Sequence, residues 1–264
     1  MKFLLNKHRL FLLFFLSMAL YGKAQEQTKN IVKISYTSNP VSQYQMTEIL
    51  MQSTATKASL YDFLKGITDY YSLYINLKDR SSVYVLDSTI HIKPRGHANS
   101  RAALADSVLS TVKTAQGKTL KHEWIMEQTF FSEGKVGDIQ WELSSKSKSI
   151  AGLNCFKAIA KNFPMLTVWY TKDLPLSNGP SIYQGLPGLV IWAEDYTHTT
   201  QLLKITYSND LEGFNKLYKT KHDRFQKEKQ RGKHYDKEPV LMIKKGDLHK
   251  SVYKYFHKKP YKRQ

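Results

Sequence analysis

The sequence predicts a mainly β fold of the α+β class. The expected form is a curved antiparallel sheet, a bowl or half-barrel, with a few flanking helices and a basic C-terminal helix and tail. Short runs of alternating apolar and polar residues recur along the chain, and turn residues separate them. Few segments have helical periodicity, which argues against repeated strand-helix-strand units. Aromatic residues make up 12% of the chain, with 17 Tyr, a composition typical of strands.

The first half of the chain contains three predicted strands and two ambiguous segments. Ile31–Thr37 alternates apolar and polar residues and is followed by an Asn-Pro pair that ends the pattern. Ser72–Lys78 and Val83–Leu86 flank a polar turn, which predicts a β-hairpin. A short helix is predicted around Tyr61–Leu64. Ser100–Val112 is richer in small and charged residues, which favours either a helix over the sheet or a surface excursion.

The second half contains six further predicted strands. They are His122–Phe130, Ile139–Leu143, Leu153–Ala160, Met165–Thr171, Leu189–Glu194 and Leu202–Tyr207. The segment Ser132–Asp138 is rich in turn residues and separates the first two of them. Because the strands follow one another closely, a meandering antiparallel sheet accounts for them better than parallel crossover units.

The first residues are typical of a cleavable secretory signal. Met1–Arg9 is basic, Leu10–Leu20 is apolar, and the small residues Gly22 and Ala24 occupy the −3 and −1 positions of a cleavage site. The apolar run is about half the roughly 20 residues that a membrane-spanning helix needs. We therefore expect cleavage near Ala24 and a soluble, exported protein, either periplasmic or secreted.

The positive charge is concentrated towards the C-terminus. The formal net charge is +18, and residues 211–264 hold 17 Lys and Arg against 6 Asp and Glu. In this segment Leu211, Phe214, Tyr218 and Phe225 recur at helical spacing, which predicts an amphipathic helix. The chain is thus expected to divide into a signal peptide at residues 1–24, a β-rich domain at 25–210 and a basic extension at 211–264.

Two interpretations of the basic extension are open. The apolar stripe of its helix packs on the sheet and leaves the lysines in solvent, or the helix lies on an anionic membrane surface. After the helix, which Gly232 could end, Val240–Ile243 predicts a return strand, and residues 258–264 are expected to be mobile. Nucleic acid is not an expected partner, because export removes it and clustered charge alone gives only salt-sensitive affinity.

The densest group of motifs lies between Gln140 and Glu194. It comprises a Trp-x-Leu strand, a Gly-x-x-Cys strand, a Trp-Tyr-Thr strand end, the pair Gly179-Pro180, and the hexapeptide Gly185-Leu186-Pro187-Gly188-Leu189-Val190. This combination resembles the GLPGLI family of exported bacterial proteins, with Val190 in place of the final Ile. The family has no established activity, so the resemblance implies no catalytic residues.

The hexapeptide predicts a rigid bend before a strand. Pro187 fixes φ near −65° and Gly188 tolerates positive φ, which suits the two central positions of a type II turn. One interpretation is a rigid rim that presents aromatic residues to a ligand. Those residues are Trp169, Tyr170, Tyr183 and Trp192. The alternative is a demanding corner of the sheet with the same aromatics in the core.

Motifs for catalysis are weak. The sequence has neither a Gly-x-Ser-x-Gly nucleophile turn nor a phosphate-binding loop, and its His residues lack metal-ligand spacing. No metal or cofactor is therefore expected. The single Cys155 permits no internal disulfide and is predicted to be a buried, inert thiol. The best carboxylate pair for glycan hydrolysis is Asp173 with Glu194.

The sequence favours a non-enzymatic envelope protein that binds a partner protein, a peptide or a lipophilic ligand. A contact of the basic extension with an anionic membrane surface is a further expectation. The alternative function is a hydrolase that acts on glycan or peptide through Asp173 and Glu194. At the level of fold alone, the expected bowl is like that of periplasmic lipoprotein carriers or of the accessory domain of some bacterial glycan amidases.

Overall fold

A computed structural model describes the chain over six ranges, residues 29–40, 65–92, 107–125, 128–162, 166–195 and 198–230. In these ranges the protein is one antiparallel sheet of 11 strands with one helix. The strands are β1 (Ile31–Asn39), β2 (Ile67–Asn76), β3 (Ser82–His91), β4 (Ser107–Lys113), β5 (Lys118–Ile125), β6 (Gln128–Lys135), β7 (Trp141–Ile150), β8 (Leu153–Ala160), β9 (Thr167–Thr171), β10 (Leu189–Glu194) and β11 (Thr199–Ser208), followed by helix α1 (Leu211–Gln230).

The sheet has the strand order β6-β5-β4-β3-β2-β1-β11-β10-β9-β8-β7. Almost every strand pairs with its neighbours in the chain, and β1 joins the two halves by pairing with both β2 and β11. The sheet is not closed, because its two edge strands, β6 and β7, do not pair with each other. These two strands are nevertheless consecutive in the chain. The predicted mainly β class and the antiparallel meander are confirmed.

Strand boundaries agree best where apolar and polar residues alternate clearly. The predicted strands Leu153–Ala160 and Leu189–Glu194 coincide with β8 and β10. The predicted hairpin is formed by β2 and β3, whose pairing runs from Ile75 with Ser82 to Ile67 with His91. Pairing between β2 and β3 therefore extends the hairpin well beyond the predicted strands Ser72–Lys78 and Val83–Leu86.

The prediction of a helix or an excursion at Ser100–Val112 is wrong for its described part. Ser107–Lys113 forms β4, which pairs with β3 on one side and β5 on the other. Its Thr and Val residues are β-branched, which suits a strand, and pairing on both sides satisfies its backbone groups. The small polar residues that suggested an excursion lie within a sheet.

The predicted strand His122–Phe130 is also corrected, since it spans parts of two strands, β5 and β6. These strands form a hairpin in which Lys118 pairs with Lys135 and Ile125 with Gln128. The segment Ser132–Asp138, predicted as a turn, contains the last residues of β6. Its polar residues are held in the strand by pairing with β5, although their side chains resemble those of a turn.

Among the described residues, three groups of buried apolar side chains form the core. One group joins strands β8–β10 to the segment between β9 and β10, and includes Val168, Tyr170, Tyr183, Leu186 and Val190. A second joins β1–β3 to residues of β8 and β10, and includes Tyr36, Leu73, Tyr84, Cys155 and Leu189. The third lies under the helix and includes Val83, Val85, Val112, Leu120, Phe131, Phe214 and Phe225.

Helix α1 packs its apolar side on β3–β6. Phe214 and Phe225 are buried, and the ring of Phe225 meets the edge of Phe131 at 5.7 Å between centroids. The carboxylate of Asp210 caps the helix by accepting the N–H of Gly213 at 2.8 Å. Leu211, predicted as part of the stripe, is 37% exposed and lies outside the buried group under the helix.

Several predicted features lie outside the described residues. These are the signal peptide at 1–24, the helix at Tyr61–Leu64, the helix end at Gly232, the return strand Val240–Ile243 and the end of the chain. In the part of the chain that the structure describes, no helix combines the length and apolar character needed to cross a membrane.

Candidate functional site

The hexapeptide lies in a long connection between β9 and β10, residues 172–188, which is irregular and largely buried. Backbone hydrogen bonds hold it against the strand that follows. The N–H of Leu189 donates to the carbonyl of Leu174 at 3.0 Å, and that of Val190 donates to Asn178 at 2.9 Å. Within the hexapeptide Leu186, Leu189 and Val190 are at most 2% exposed, and Gly185 and Pro187 face solvent.

Gly188 is required by a close approach of two backbone segments. A Cβ at this position would overlap the carbonyl oxygen of Thr171. The φ angle of Gly188 lies outside the left-handed region, and the glycine in that region is Gly185, with φ 89°. The predicted type II turn with positive φ at Gly188 is therefore wrong, because the glycine makes room for a carbonyl and does not reverse the chain.

The same connection contacts the chain segment that links the two edge strands. The indole N–H of Trp141, at the start of β7, donates to the carbonyl of Gln184 at 2.8 Å. A Cβ on Gly185 would lie 3.6 Å from Val136 and 3.7 Å from the backbone of Gly137, both in the β6–β7 turn. Gly179-Pro180 is buried too, and Gly179 packs against Val190 and the Tyr183 carbonyl. The connection that contains the hexapeptide thus contacts the chain where it passes from one edge strand, β6, to the other, β7.

The four aromatic residues of the predicted rim do not form one site. Tyr170 and Tyr183 are 2% and 8% exposed and belong to the core group of β8–β10. The Tyr183 hydroxyl donates to the carboxylate of Asp195. Trp169 precedes Tyr170 in a strand, so its side chain points to the other face of the sheet. Burial also raises the pKa of Tyr170.

Trp169 and Trp192 are brought together. They are directly paired across β9 and β10, and both are only partly buried. The ammonium of Lys148, on edge strand β7, lies 4.2 Å from the centroid of the Trp169 ring and 5.7 Å from that of Trp192. Lys157 of β8 pairs with Trp169 and extends the same row. We call these residues, Lys148, Lys157, Trp169 and Trp192, the tryptophan surface.

The position of Lys148 depends on an irregularity in the sheet. The pairing of β7 with β8 shifts between Leu143 and Ser147, after which Lys148 pairs with Cys155. From there its side chain reaches across β8 to the indole of Trp169. The sequence did not predict this contact, since the Ser-Lys alternation of β7 indicates only a polar edge strand.

The two carboxylates proposed for hydrolysis lie at opposite ends of paired strands. Thr171 pairs with Leu189, and Thr167 pairs with Glu194. Asp173 stands two residues beyond Thr171, at one end of the paired strands, and Glu194 pairs with Thr167 at the other end. Thr171 and Thr167 are themselves about 13 Å apart at the usual rise of a strand. Asp173 also accepts the backbone N–H of Asn154 at 3.1 Å. The structure therefore does not bring Asp173 and Glu194 together as a catalytic pair.

Within the described ranges, neither the one cysteine nor the metal-ligating side chains form an alternative centre. Cys155 is fully buried, and burial raises the pKa of its thiol, as expected for an inert packing residue. Among the described residues, no group of three or more His, Cys, Asp or Glu side chains could hold a metal ion.

A family model described as "Protein of unknown function (Porph_ging)" matches residues 160–192. This is the GLPGLI family, so the predicted resemblance is confirmed for the segment that carries the hexapeptide. No curated protein matches the chain.

Distant similarity to solved structures is also found. Two structures of PNGF-II, in space groups C2 and P21, are 14% and 13% identical to the chain, with TM-scores of 0.42 and 0.40. They cover 72% and 69% of this chain, which spans 29% of each PNGF-II chain. An uncharacterized conserved protein from Thermus thermophilus is 8% identical, has a TM-score of 0.32, and covers 74% of this chain and 90% of its own.

Proposed function

We propose that this chain is an exported, non-enzymatic protein of the bacterial envelope that binds a peptide segment of a partner protein on its tryptophan surface. The observation that carries the proposal is the cross-strand pair Trp169 and Trp192, partly exposed on a sheet and covered by one lysine ammonium. The signal-like residues 1–24 support export. We also propose that the open sheet is curved into a bowl or half-barrel.

Tryptophan pairs of this kind are suited to binding. Trp is enriched among the residues that contribute most to protein interfaces, because it offers a large apolar area together with an N–H donor. Both tryptophans stand on strands whose neighbouring residues, Val168, Tyr170 and Ala193, are at most 2% exposed. The rings are thus held on a packed support, which reduces the entropy lost on binding.

The charges of the surface define the partner. Lys148 forms no salt bridge with the described residues, and its ammonium rests on the indole rings. A carboxylate on a ligand could pair with Lys148 or Lys157, while an apolar or aromatic side chain covers the tryptophans. An acidic peptide with aromatic residues fits this arrangement best.

The edge strand β7 supports an extended peptide as the ligand. It is the terminal strand of the sheet, and most of its ten residues are exposed. Within the described residues one side of its backbone pairs with no strand, and an added strand could pair there. The lysines of β7 discourage self-association at this edge and would favour an acidic strand over a second copy of the chain.

The predicted membrane contact of the basic extension remains a separate proposal. Phe214 and Phe225 already pack on the sheet, so the apolar stripe of α1 is occupied. A contact with anionic lipid would instead use the lysine-bearing side of the helix and depend strongly on salt.

A displayed peptide library tests the function directly. Peptides selected on the purified chain should be enriched in Asp or Glu beside aromatic residues, and they should bind the double variant Trp169→Ala, Trp192→Ala at least about tenfold more weakly. Tyr207→Ala is the matched control, because Tyr207 is 44% exposed on β11 and also carries a lysine, Lys29, at 5.4 Å from its ring centroid. Equal binding to the double variant would refute the proposal.

A further inference from the structure

Strands β3–β6 carry a buried polar patch on the face opposite helix α1. Side chains alternate between the two faces of these strands, and apolar ones such as Val83, Val112 and Leu120 pack under the helix, whereas Tyr84 lies on the other face. The other face carries Ser82, Thr111, Lys113, Thr119 and Ser132, each at most 6% exposed. We call these five residues the hydroxyl–lysine patch.

The strand register places the members of the patch side by side. Lys113 pairs with Ser82 of β3 and with Thr119 of β5. In the adjacent row Thr111 pairs with Lys121, which in turn pairs with Ser132 of β6. Thr111 and Lys113 are two residues apart on one strand, so their side chains point the same way.

Two groups in the patch lack a partner among the described residues. The Oγ1 atom of Thr111 is buried without a hydrogen-bond partner. Lys113, 6% exposed, forms no salt bridge with those residues. A buried ammonium is costly without a counter-charge, and a buried hydroxyl without a partner is also unfavourable.

The patch carries positive charge from Lys113 and from the nearby Arg80. The pKa of Lys113 is lowered to about 8, first by burial and then by the guanidinium of Arg80 in the β2–β3 turn. Two neighbouring cations and a free hydroxyl donor are complementary to an oxyanion, which supplies both negative charge and acceptor atoms. On the same face of β2, the neighbouring Leu73 and Ile75 are at most 1% exposed, which lowers the local polarity and strengthens such a pairing.

We propose that the hydroxyl–lysine patch binds an oxyanion, the carboxylate or phosphate group of a small ligand. Lys113 supplies the charge, Thr111 donates a hydrogen bond, and Arg80 adds a second positive charge at the rim. This site is distinct from the tryptophan surface, which is built on β7–β10, and it does not depend on peptide binding there.

Titration of Lys113 by nuclear magnetic resonance tests the site. Acetate and inorganic phosphate are added separately to the purified chain at constant ionic strength, and the side-chain signal of Lys113 is followed with pH. Binding to the charged amine should raise the titration midpoint of Lys113 by about one pH unit, which corresponds to a tenfold preference for the charged form. Response to acetate alone identifies a carboxylate site, and response to phosphate alone identifies a phosphate site.

Variants separate the site from general charge effects. Lys113→Met should abolish the anion-induced shifts in β3–β5. Lys118→Met is the matched control, because Lys118 starts β5, its side chain is 48% exposed, and it pairs with Glu133 at 3.3 Å. A midpoint of Lys113 that neither anion moves would overturn the proposal, as would unchanged shifts in Lys113→Met. The wild-type titration decides the question if that variant does not fold.

Discussion

At the scale of single residues, Gly188 is the position at which the hexapeptide tolerates least change. Its backbone lies against the carbonyl of Thr171, where no side-chain atom fits. Gly185 differs, since it has a left-handed φ of 89° and a Cβ there would make only an ordinary contact with Val136, at 3.6 Å. The two glycines of one motif therefore serve different purposes.

Substitution at these glycines gives unequal costs. Gly188→Ala should lower the free energy of unfolding by more than about 3 kcal/mol, because the strands must separate to admit a methyl group. Gly185→Ala should cost roughly 1 to 2 kcal/mol, the usual penalty of a left-handed alanine. Urea unfolding of both variants measures the difference, and equal losses would contradict the close-approach explanation.

His122 is a buried titratable residue under helix α1. It is 5% exposed and stacks on Phe131 at 4.5 Å between ring centroids, and its Nε2 atom has no partner among the described residues. Its pKa is lowered from 6.5 to about 4, mainly by burial and then by Arg224 and Lys221. The folded state thus holds the imidazole neutral where the unfolded chain protonates it.

This shift makes stability depend on pH. Between pH 6.5 and about 4 the unfolded state binds more protons at His122, so stability falls as the pH falls through this window. The contribution of this residue is at most about 3 kcal/mol. His122→Phe keeps the stack and removes the titration, so its unfolding free energy should fall less over the same window. An identical fall in wild type and variant would show that His122 is not responsible.

At the scale of elements, α1 is fixed mainly by the buried Phe214 and Phe225, with Tyr218 packed beside them, whereas Leu211 contributes little. Phe225 is 3% exposed and meets Phe131, whereas Leu211 is 37% exposed in the first turn. Phe225→Ala should cost about 3 to 5 kcal/mol through loss of burial and a cavity, while Leu211→Ala should change stability by less than about 1 kcal/mol. Urea unfolding tests both, and a large cost at Leu211 would contradict the packing described.

The limits of sequence-based prediction are clearest in β4 and β6. Clear alternation, as in Leu153–Ala160, gives the correct strand because one face is apolar and the other is not. In Ser107–Lys113 the buried residues include Thr111 and Lys113 on one face and Ser110 on the other, so its polar residues suggest a surface segment. Only pairing with β3 and β5 shows that these polar residues are inside.

The sequence predicted only part of the candidate site, because the rest depends on strand alternation and register. Trp169 and Trp192 are correctly joined, since they lie on strands that pair directly. Tyr170 and Tyr183 were grouped with them by type, but strand alternation places Tyr170 on the opposite face. Lys148 could not be predicted, because its reach depends on a register shift between β7 and β8 that no local pattern encodes.

At the scale of the whole molecule, the open sheet and the hexapeptide segment have complementary roles. The sheet leaves β6 and β7 as edges, and residues 172–188 contact the turn that links them through Trp141 and Gly185. The segment is thereby hydrogen-bonded to the start of β7 and to β10, the strand that carries Trp192. Binding at the tryptophan surface is the central claim, and the rigid support follows from the packing beneath it.

The most direct measurement follows the indole N–H signals of the chain while a library-selected acidic, aromatic peptide is added. The signals of Trp169 and Trp192, assigned with Trp→Phe variants, should shift together and saturate with one affinity. The signal of Trp141 should stay in place, because its N–H is bonded to Gln184 behind the surface. Shifts at Trp141 with none at Trp169 and Trp192 would contradict the account.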